Sequence, residues 1–317
     1  MTVSAVVDHG RLSHLDLAAG VAGLALDHDA PLAPLTTLRV GGPADRLATA
    51  ESIDQLVALH RMADDAGVPV FLIGKGSDLV VADPGIRGLV IRVRAAAIQV
   101  DGTSVRAEAG ASMTGLAKRC AREGLAGFDW GISIPGSVGG AVWANAGAHN
   151  GEMAQVVRTV EVYDPRDGAR RSLGADACAF AYRDSRFKHS PEVVLAATLE
   201  LGPGDPAAIG TRIEEHQARR RATQPLADQN AGSVFRNPSG DHAGRLIEAA
   251  GLKGHRIGSA QVSTLHANFI VTDRGAARAS DVRALGDHVR AVVAERFGVA
   301  LRYEIEFVGD WGAGGAP

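Results

Sequence analysis

Apolar positions along the chain alternate between a helical and an extended period, which predicts an α+β protein. Ser52-Ile53-Asp54-Gln55 carries the chemistry of a capping box. Ile53, Leu56, Val57 and Ala63 then form one apolar stripe, and Gly67 supplies the stop, so a helix is expected here. Val68–Ile73 follows as a short apolar run suited to a buried strand. Gly74-Lys75-Gly76-Ser77-Asp78 interrupts the run, Leu79–Ala82 resumes it, and Leu89–Val93 reads as a further strand. Ile98–Ala107 predicts a hairpin that turns at Asp101-Gly102. Ser112–Glu123 predicts a helix that buries Leu116 and Cys120 and ends at Gly124. Val156–Tyr163 and Glu192–Leu201 alternate as strands, with a turn at 164–168.

Gly, Pro and Asp cluster between Pro203 and Pro206, a candidate boundary. Beyond it the pattern predicts a charged helix over about 207–222, a helix near His242–Ala250 and a strand at Asn268–Val271. A long helix Ser280–Phe297 and a closing strand Leu301–Val308 complete the chain. On that last strand Leu301, Tyr303, Ile305 and Phe307 share one face, and Arg302, Glu304 and Glu306 the other. The first thirty residues read as a poorly fixed leader in which Leu15–Leu26 can form a short helix. The expected plan is a leader (1–30), two lobes (31–97 and 98–204), a smaller C-terminal α+β domain (205–300) and a closing segment (301–317).

Composition narrows the function classes. The 317 residues are 46% hydrophobic and 22% charged, which excludes disorder and coiled coil. A formal charge of −3 leaves no basic field for nucleic acid. No apolar run reaches the roughly 18 residues of a membrane span. Met1–Gly20 carries Asp8, Arg11 and Asp16 without a compact apolar core, so no signal peptide is expected. Two cysteines, Cys120 and Cys178, make neither a disulfide framework nor a zinc site, and a reducing cytoplasm is the natural setting.

The 39 glycines direct attention to close backbone approaches. Gly74–Asp78 follows a predicted buried strand, where exposed amides and the Ser77 hydroxyl can cradle phosphate oxygens. It is not a Walker A loop, because Gly follows Lys75. It is not a dinucleotide fingerprint either, because Leu79 occupies the third glycine position. As a pattern it serves equally as a structural turn. Residues 131–140 (Gly-Ile-Ser-Ile-Pro-Gly-Ser-Val-Gly-Gly) are uncharged and either line a ligand or pack two lobes closely. They fail the Gly-x-Ser-x-Gly elbow of serine hydrolases at both Ser133 and Ser137. The histidines lack metal-binding spacing, so no metal is expected. Three further polar groups stand out: Tyr182-Arg183-Asp184-Ser185, the stretch Asn230–Pro238, and Glu304. Taken singly, Glu304 fits a solvated strand face and Ser233 fits a cap.

Together these segments resemble the UDP-N-acetylenolpyruvoylglucosamine reductases, from Thr37 to about Gly309. The resemblance is carried by Arg39-Val40-Gly41-Gly42-Pro43-Ala44, Gly74–Asp78, Ile134–Gly140, Tyr182-Arg183, Asn230-Ala231-Gly232-Ser233, Leu265–Ile270 and Glu304, all in family order. It implies two α+β lobes of the vanillyl-alcohol-oxidase type that hold FAD non-covalently, and a C-terminal domain for the UDP-sugar. Cofactor contacts are then expected at Gly41, Gly42, Gly74, Lys75, Gly76, Ser77, Asp78, Ile134, Pro135, Gly136, Ser137, Gly139 and Gly140. Substrate contacts are expected at Arg236, Asn237, His266 and Asn268. The implied partners are NADPH and UDP-N-acetylglucosamine enolpyruvate, with no nucleic acid or membrane, in a cytoplasmic monomer that serves peptidoglycan synthesis.

In the implied reaction, hydride reaches the methylene carbon of the enolpyruvyl group and negative charge spreads into its carboxylate as an enolate. By resemblance, Ser233 donates the proton to carbon while Arg183 and Glu304 stabilise the enolate. Glu304 must carry or share a proton to do so. Departures from the family pattern are Asp78 in place of Asn, and His149-Asn150 in place of Tyr-Gly. No tyrosine lies between Arg183 and Ser233, as in the shorter type that lacks a tyrosine-bearing loop. Two competing classes share the scaffold: a flavin oxidase that uses oxygen, and a non-catalytic nucleotide-binding protein. The latter has no need of a proton donor opposite an anion stabiliser.

Overall fold

The structure, a computed structural model, describes residues 8–312 and residue 315. Its first lobe holds helix α1 (His9–Val21), strands β1 (Asp27–Pro31) and β2 (Pro43–Ala50), helix α2 (Ile53–Asp65), and strands β3 (Val70–Ile73), β4 (Leu79–Val81) and β5 (Ile86–Val93). The sheet runs in the order β1-β2-β5-β3, antiparallel between β1 and β2 and parallel elsewhere. At the start of α2 the Ser52 hydroxyl accepts the Gln55 N–H at 3.2 Å. The Gln55 side chain reaches back to the N–H of Glu51, one residue earlier than a capping box requires. Leu56, Val57 and Leu59 pack on Leu89 and Ile91 of the sheet together with Leu12 and Leu15 of α1. The expected loose leader is therefore corrected from His9 onward: its helix starts earlier than Leu15 and is docked by apolar burial. Residues 1–7 lie outside the described residues.

The second lobe contains β6 (Ile98–Asp101), β7 (Ser104–Glu108), α3 (Met113–Arg122), α4 (Val138–Trp143), β8 (Val157–Asp164), β9 (Ala169–Gly174) and β10 (Val193–Glu200). Its five-stranded sheet is antiparallel throughout, in the order β9-β8-β10-β7-β6. Strand β9 was not expected. It is an edge strand with no buried position, and Arg170 and Arg171 replace the apolar alternation that would have marked it.

Helix α5 (Pro206–Thr223) begins where expected, with Asp205 accepting the N–H groups of Ala207 and Ala208. Its Ile209 and Ile213, however, pack into the core of the second lobe. The boundary expected at 203–206 thus falls after α5, because that helix buries its apolar face on the lobe that precedes it. The C-terminal core gathers Ala231, Val234 and Phe235 with α6 (Ala243–Ala249), β11 (Ala260–Val262), β12 (Ile270–Thr272) and α7 (Ala279–Phe297). It also takes in Leu38, Val40 and Val80 from the first lobe.

The closing strand is shorter than expected. Only β13 (Glu306–Val308) forms a ladder, parallel to β4 of the first lobe. Residues 301–305 are irregular yet keep the alternation, with Leu301, Ile305 and Phe307 buried and Arg302 exposed. Burial survives without the ladder because the C-terminal core, rather than a sheet partner, receives these side chains.

Candidate active site

A cleft of about 1670 Å³ runs between the two lobes and the C-terminal domain. That exceeds the roughly 300–1,000 Å³ of a pocket for one small ligand, and leaves room for a dinucleotide and a second molecule together. The Gly74–Asp78 loop, between β3 and β4, forms one wall. Thr37 donates its N–H to the Gly76 carbonyl at 3.0 Å, and its hydroxyl donates to the Ser77 carbonyl at 3.3 Å. The loop carbonyls are thereby turned into the protein. Among the described residues nothing accepts the N–H groups of Lys75, Gly76 and Ser77. Such a row of free amides fits a pyrophosphate, and so this chain fits a dinucleotide cofactor on its own geometry.

The opposite wall is the Ile134–Gly140 loop, and Ile134, Pro135, Gly136, Ser137, Gly139 and Gly140 all line the cleft. A Cβ on Gly74 would run into the Ser137 hydroxyl, so the two loops approach only because that side chain is missing. Lys75 crosses between the lobes and donates to the Ser112 hydroxyl at 2.9 Å. Gly41 and Gly42 stand behind this wall and do not line the cleft. A Cβ on Gly41 would strike Val81, and one on Gly42 would strike the Asp83 carbonyl oxygen. Their missing side chains let the 40–42 segment lie against the end of β4, and Thr37 lines the cleft beside the Gly74–Asp78 loop.

Arg183, Ser233 and Glu304, from three separate parts of the chain, line this same cleft. Arg183 sits in the left-handed region at φ 56°, unusual for a non-glycine residue and a sign of a conformation imposed by its surroundings. Its Nε donates to Glu304 Oε1 at 2.7 Å and its Nη2 to the Gly147 carbonyl at 2.9 Å. Glu304 donates its own N–H to the Val234 carbonyl at 2.8 Å, which fixes it beside Ser233. The Ser233 hydroxyl has no hydrogen-bond partner among the described residues. Glu304 is thus engaged as the anionic half of an ion pair, whereas the chemistry implied by resemblance asks it to carry or share a proton.

A second ion pair runs alongside the first. Lys188 Nζ lies 2.7 Å from Glu306 Oε1 and 4.1 Å from the centre of the Trp143 ring. The Glu306 N–H donates to the Asp78 carbonyl at 2.8 Å, tying the closing segment to the phosphate loop. Burial pushes the Asp78 carboxyl up to about 6, neighbouring Glu306 adds to the rise, and Lys188 opposes it.

The four expected substrate residues separate. Asn237 lines the cleft while its Oδ1 accepts the Ala243 N–H at 3.1 Å, at the start of α6. His266 also lines it; Nδ1 accepts the Asn268 N–H at 3.3 Å, which leaves Nε2 protonated as a donor. Burial holds His266 below its ordinary value and therefore neutral. Asn268 and Arg236 do not line the cleft. Asn268 is 4% exposed, and its amide clamps the backbone of Phe235 by bonds of 3.0 and 2.8 Å. It holds the segment after Ser233 from behind. Arg236 is half-buried, with its N–H bonded to the Arg302 carbonyl at 2.9 Å.

Sequence reasoning overlooked Thr37, Trp143, Lys188, Arg219 and Arg220, all of which line the cleft. Burial pulls Arg220 down from its ordinary value, and among the described residues no carboxylate pairs with it. The Arg219–Arg221 run was visible on a charged helix, but helical periodicity does not tell which arginine faces a cavity. A separate hollow of about 440 Å³ lies by the start of α2, where Arg106 pairs with Glu161 and Arg170 with Asp54. Those neighbouring charges satisfy one another.

Comparison with known proteins bears on this geometry. Residues 44–174 match an FAD-binding domain family, and residues 224–308 match the family described as UDP-N-acetylenolpyruvoylglucosamine reductase, C-terminal domain. UDP-N-acetylenolpyruvoylglucosamine reductase 2 of Symbiobacterium thermophilum is 48% identical over 284 residues, 89% of this chain and 91% of that protein. The chain belongs to the UDP-N-acetylenolpyruvoylglucosamine reductase family. The reductase of Levilactobacillus brevis is 41% identical over 93% of this chain and 97% of its own length. The crystal structure of the Thermus caldophilus reductase superposes with a TM-score of 0.74 at 36% identity, covering 90% of this chain and 98% of that one. This family membership makes the chain an FAD-dependent oxidoreductase, with an α+β two-lobed FAD-binding region and a C-terminal α+β domain. The C-terminal match begins at 224, directly after α5, in agreement with where that helix packs. Among the described residues no helix is long and apolar enough to cross a membrane.

Proposed function

We propose that the chain catalyses the NADPH-dependent reduction of UDP-N-acetylglucosamine enolpyruvate to UDP-N-acetylmuramate, as a cytoplasmic monomer in peptidoglycan precursor synthesis. The observation that carries the reading is the meeting of Arg183, Ser233 and Glu304 in the cleft whose walls are Gly74–Asp78 and Ile134–Gly140. FAD, bound non-covalently, supplies the transfer of hydride from the nicotinamide to the enolpyruvyl methylene carbon. The free amides of Lys75, Gly76 and Ser77 hold its pyrophosphate, and the Ile134–Gly140 backbone runs along the rest.

The enolpyruvyl group is then held for charge development. Nε and Nη2 of Arg183 are committed to Glu304 and Gly147. Nη1 is left to face the substrate carboxylate, where the enolate charge accumulates. Fixing two of the three guanidinium nitrogens beforehand means little reorganisation as that charge appears. Glu304, ion-paired to Arg183, holds that guanidinium in place as the substrate oxygens gain charge. The Ser233 hydroxyl, unengaged by the protein, gives its proton to the carbanionic carbon. His266 Nε2–H and Asn237 serve as neutral donors to the sugar nucleotide. The sequential use of one cleft by NADPH and the sugar nucleotide accounts for the lack of a separate nicotinamide fingerprint.

An anaerobic titration tests the reading. The purified chain is expected to carry a flavin spectrum that NADPH bleaches and UDP-N-acetylglucosamine enolpyruvate restores. Restoration by oxygen alone, without response to the sugar, would identify an oxidase instead. Failure to take up flavin on reconstitution would point to a non-catalytic nucleotide binder.

A further inference from the structure

One constellation in the cleft is unused by this chemistry. Gly147–Ala148 and Gly151–Glu152 form a small antiparallel hairpin whose two-residue turn is His149-Asn150, with φ of 52° and 65°. Positive φ at both turn positions is the type I′ geometry that favours Asn, Asp and Gly. A histidine at the first of them is costly for the backbone unless its side chain is engaged, and this one is. His149 Nε2 lies 2.8 Å from the hydroxyl of Ser133, which is buried and opens directly onto the Ile134–Gly140 loop. The His149 ring stacks on His216 of α5, with centroids 3.8 Å apart and planes at 15°. His216 in turn donates Nε2–H to Asp129 at 3.1 Å, and Arg212 faces the same carboxylate. The carbonyl of Gly147 in this hairpin is the one that receives Arg183.

We propose that His149 is a positioning residue that clamps the cofactor wall: in its neutral form it ties Ser133, and with it the start of the Ile134–Gly140 loop, to helix α5 through the His216 stack, and a proton on His149 opens the clamp. The inference rests on the flavin reading given above. Groups facing His149 make the proton disruptive. Arg219 and Arg220 of α5 and the stacked His216 all oppose positive charge on the ring, and Asp129, already engaged by His216 and Arg212, compensates only in part. Burial acts in the same direction, holding His149 below its ordinary value.

The sign follows from linkage. A histidine that is harder to protonate in the folded state stabilises that state fully above its unfolded value. The contribution is lost as pH falls through the interval between the unfolded and folded values. FAD affinity, measured by quenching of flavin fluorescence on the whole chain, is expected to be constant above about pH 7 and to weaken on the acid side of the His149 titration, levelling off about five- to tenfold below its alkaline value. His149→Gln keeps a group that can bond the Ser133 hydroxyl but cannot take up the proton. It should bind FAD within about threefold of the wild type near pH 8 and show no acid limb. His149→Phe keeps a ring to stack and loses the bond, and should bind FAD about five- to tenfold more weakly at every pH. An acid limb in His149→Gln equal to that of the wild type, or undiminished affinity in His149→Phe, overturns the proposal. Urea unfolding without FAD gives an independent reading: as pH falls below about 6.5 the wild type should lose stability relative to His149→Gln. If the chain binds no FAD at any pH, the flavin reading fails, and this unfolding comparison still upholds or refutes the clamp.

Discussion

Replacing Asp78 by Asn isolates the one strongly displaced carboxyl of the phosphate loop. Its pKa stands at about 6 against 3.8 in the unfolded chain, first through burial and then through Glu306. A gap of about two units corresponds to roughly 3 kcal/mol at 1.4 kcal/mol per unit. Asp78 is only half-buried and borders the cleft, so water reduces this to roughly 1–2 kcal/mol. Because the folded value lies above the unfolded one, Asp78 leaves stability untouched only well below the unfolded value, at about pH 3 and under, where both states are protonated. It subtracts from stability as pH rises through about 6. Asp78→Asn, nearly isosteric, should therefore unfold at higher urea than the wild type at about pH 8, by roughly 1–2 kcal/mol, and match it at about pH 3. Removing a negative charge beside the bound pyrophosphate should also tighten FAD on the alkaline side only. No gain near pH 8 would refute the placement of a destabilising charge. An equal gain at both pH values would show that packing, and not ionisation, is responsible.

Three other substitutions probe the residues around the cleft. Asn268→Ala leaves the buried N–H and C=O of Phe235 unpaired and should cost about 2–4 kcal/mol in urea unfolding, with the flavin spectrum of the folded fraction unchanged; altered flavin binding at unchanged stability would return Asn268 to the ligand. Gly42→Ala drives a Cβ into the Asp83 carbonyl and should cost about 1–3 kcal/mol while full FAD stoichiometry is kept. Gly74→Ala meets the Ser137 side chain, its hydroxyl first and its Cβ at 3.3 Å, and no backbone atom, so it should cost less in unfolding than Gly42→Ala while separating the two glycine loops and weakening FAD; the reverse pattern in either variant would contradict the distinction between them.

What could be read from the sequence follows the physics of each segment. Elements whose burial is one-sided and regular, such as α2, α3 and α7, announce themselves through their apolar period. Strand β9 carries no such signal because it is an exposed, charged edge. The packing of α5 on the second lobe rests on just two buried isoleucines in an otherwise polar helix. The glycine loops were legible as sites of close approach, but Gly41 and Gly42 show the limit of that inference. A glycine required by a neighbouring carbonyl looks the same in sequence as one required by a phosphate. Arg183, Ser233 and Glu304 became a constellation only through family order, since neither period nor spacing relates residues so distant in the chain. Lys188 and Glu306 lie five and two residues beyond Arg183 and Glu304, and pair across the same gap. That second rung was hidden because each member alone looks like an ordinary surface charge.

The most direct measurement follows the two halves of the reaction separately in Ser233→Ala by anaerobic stopped-flow absorbance. The variant should be reduced by NADPH at close to the wild-type rate. Its reoxidation by UDP-N-acetylglucosamine enolpyruvate should be slower by about 10²–10⁴-fold, the range expected when a positioned proton donor is lost. Equal slowing of both halves, or reoxidation as fast as in the wild type, would contradict the assignment of the carbon proton to Ser233.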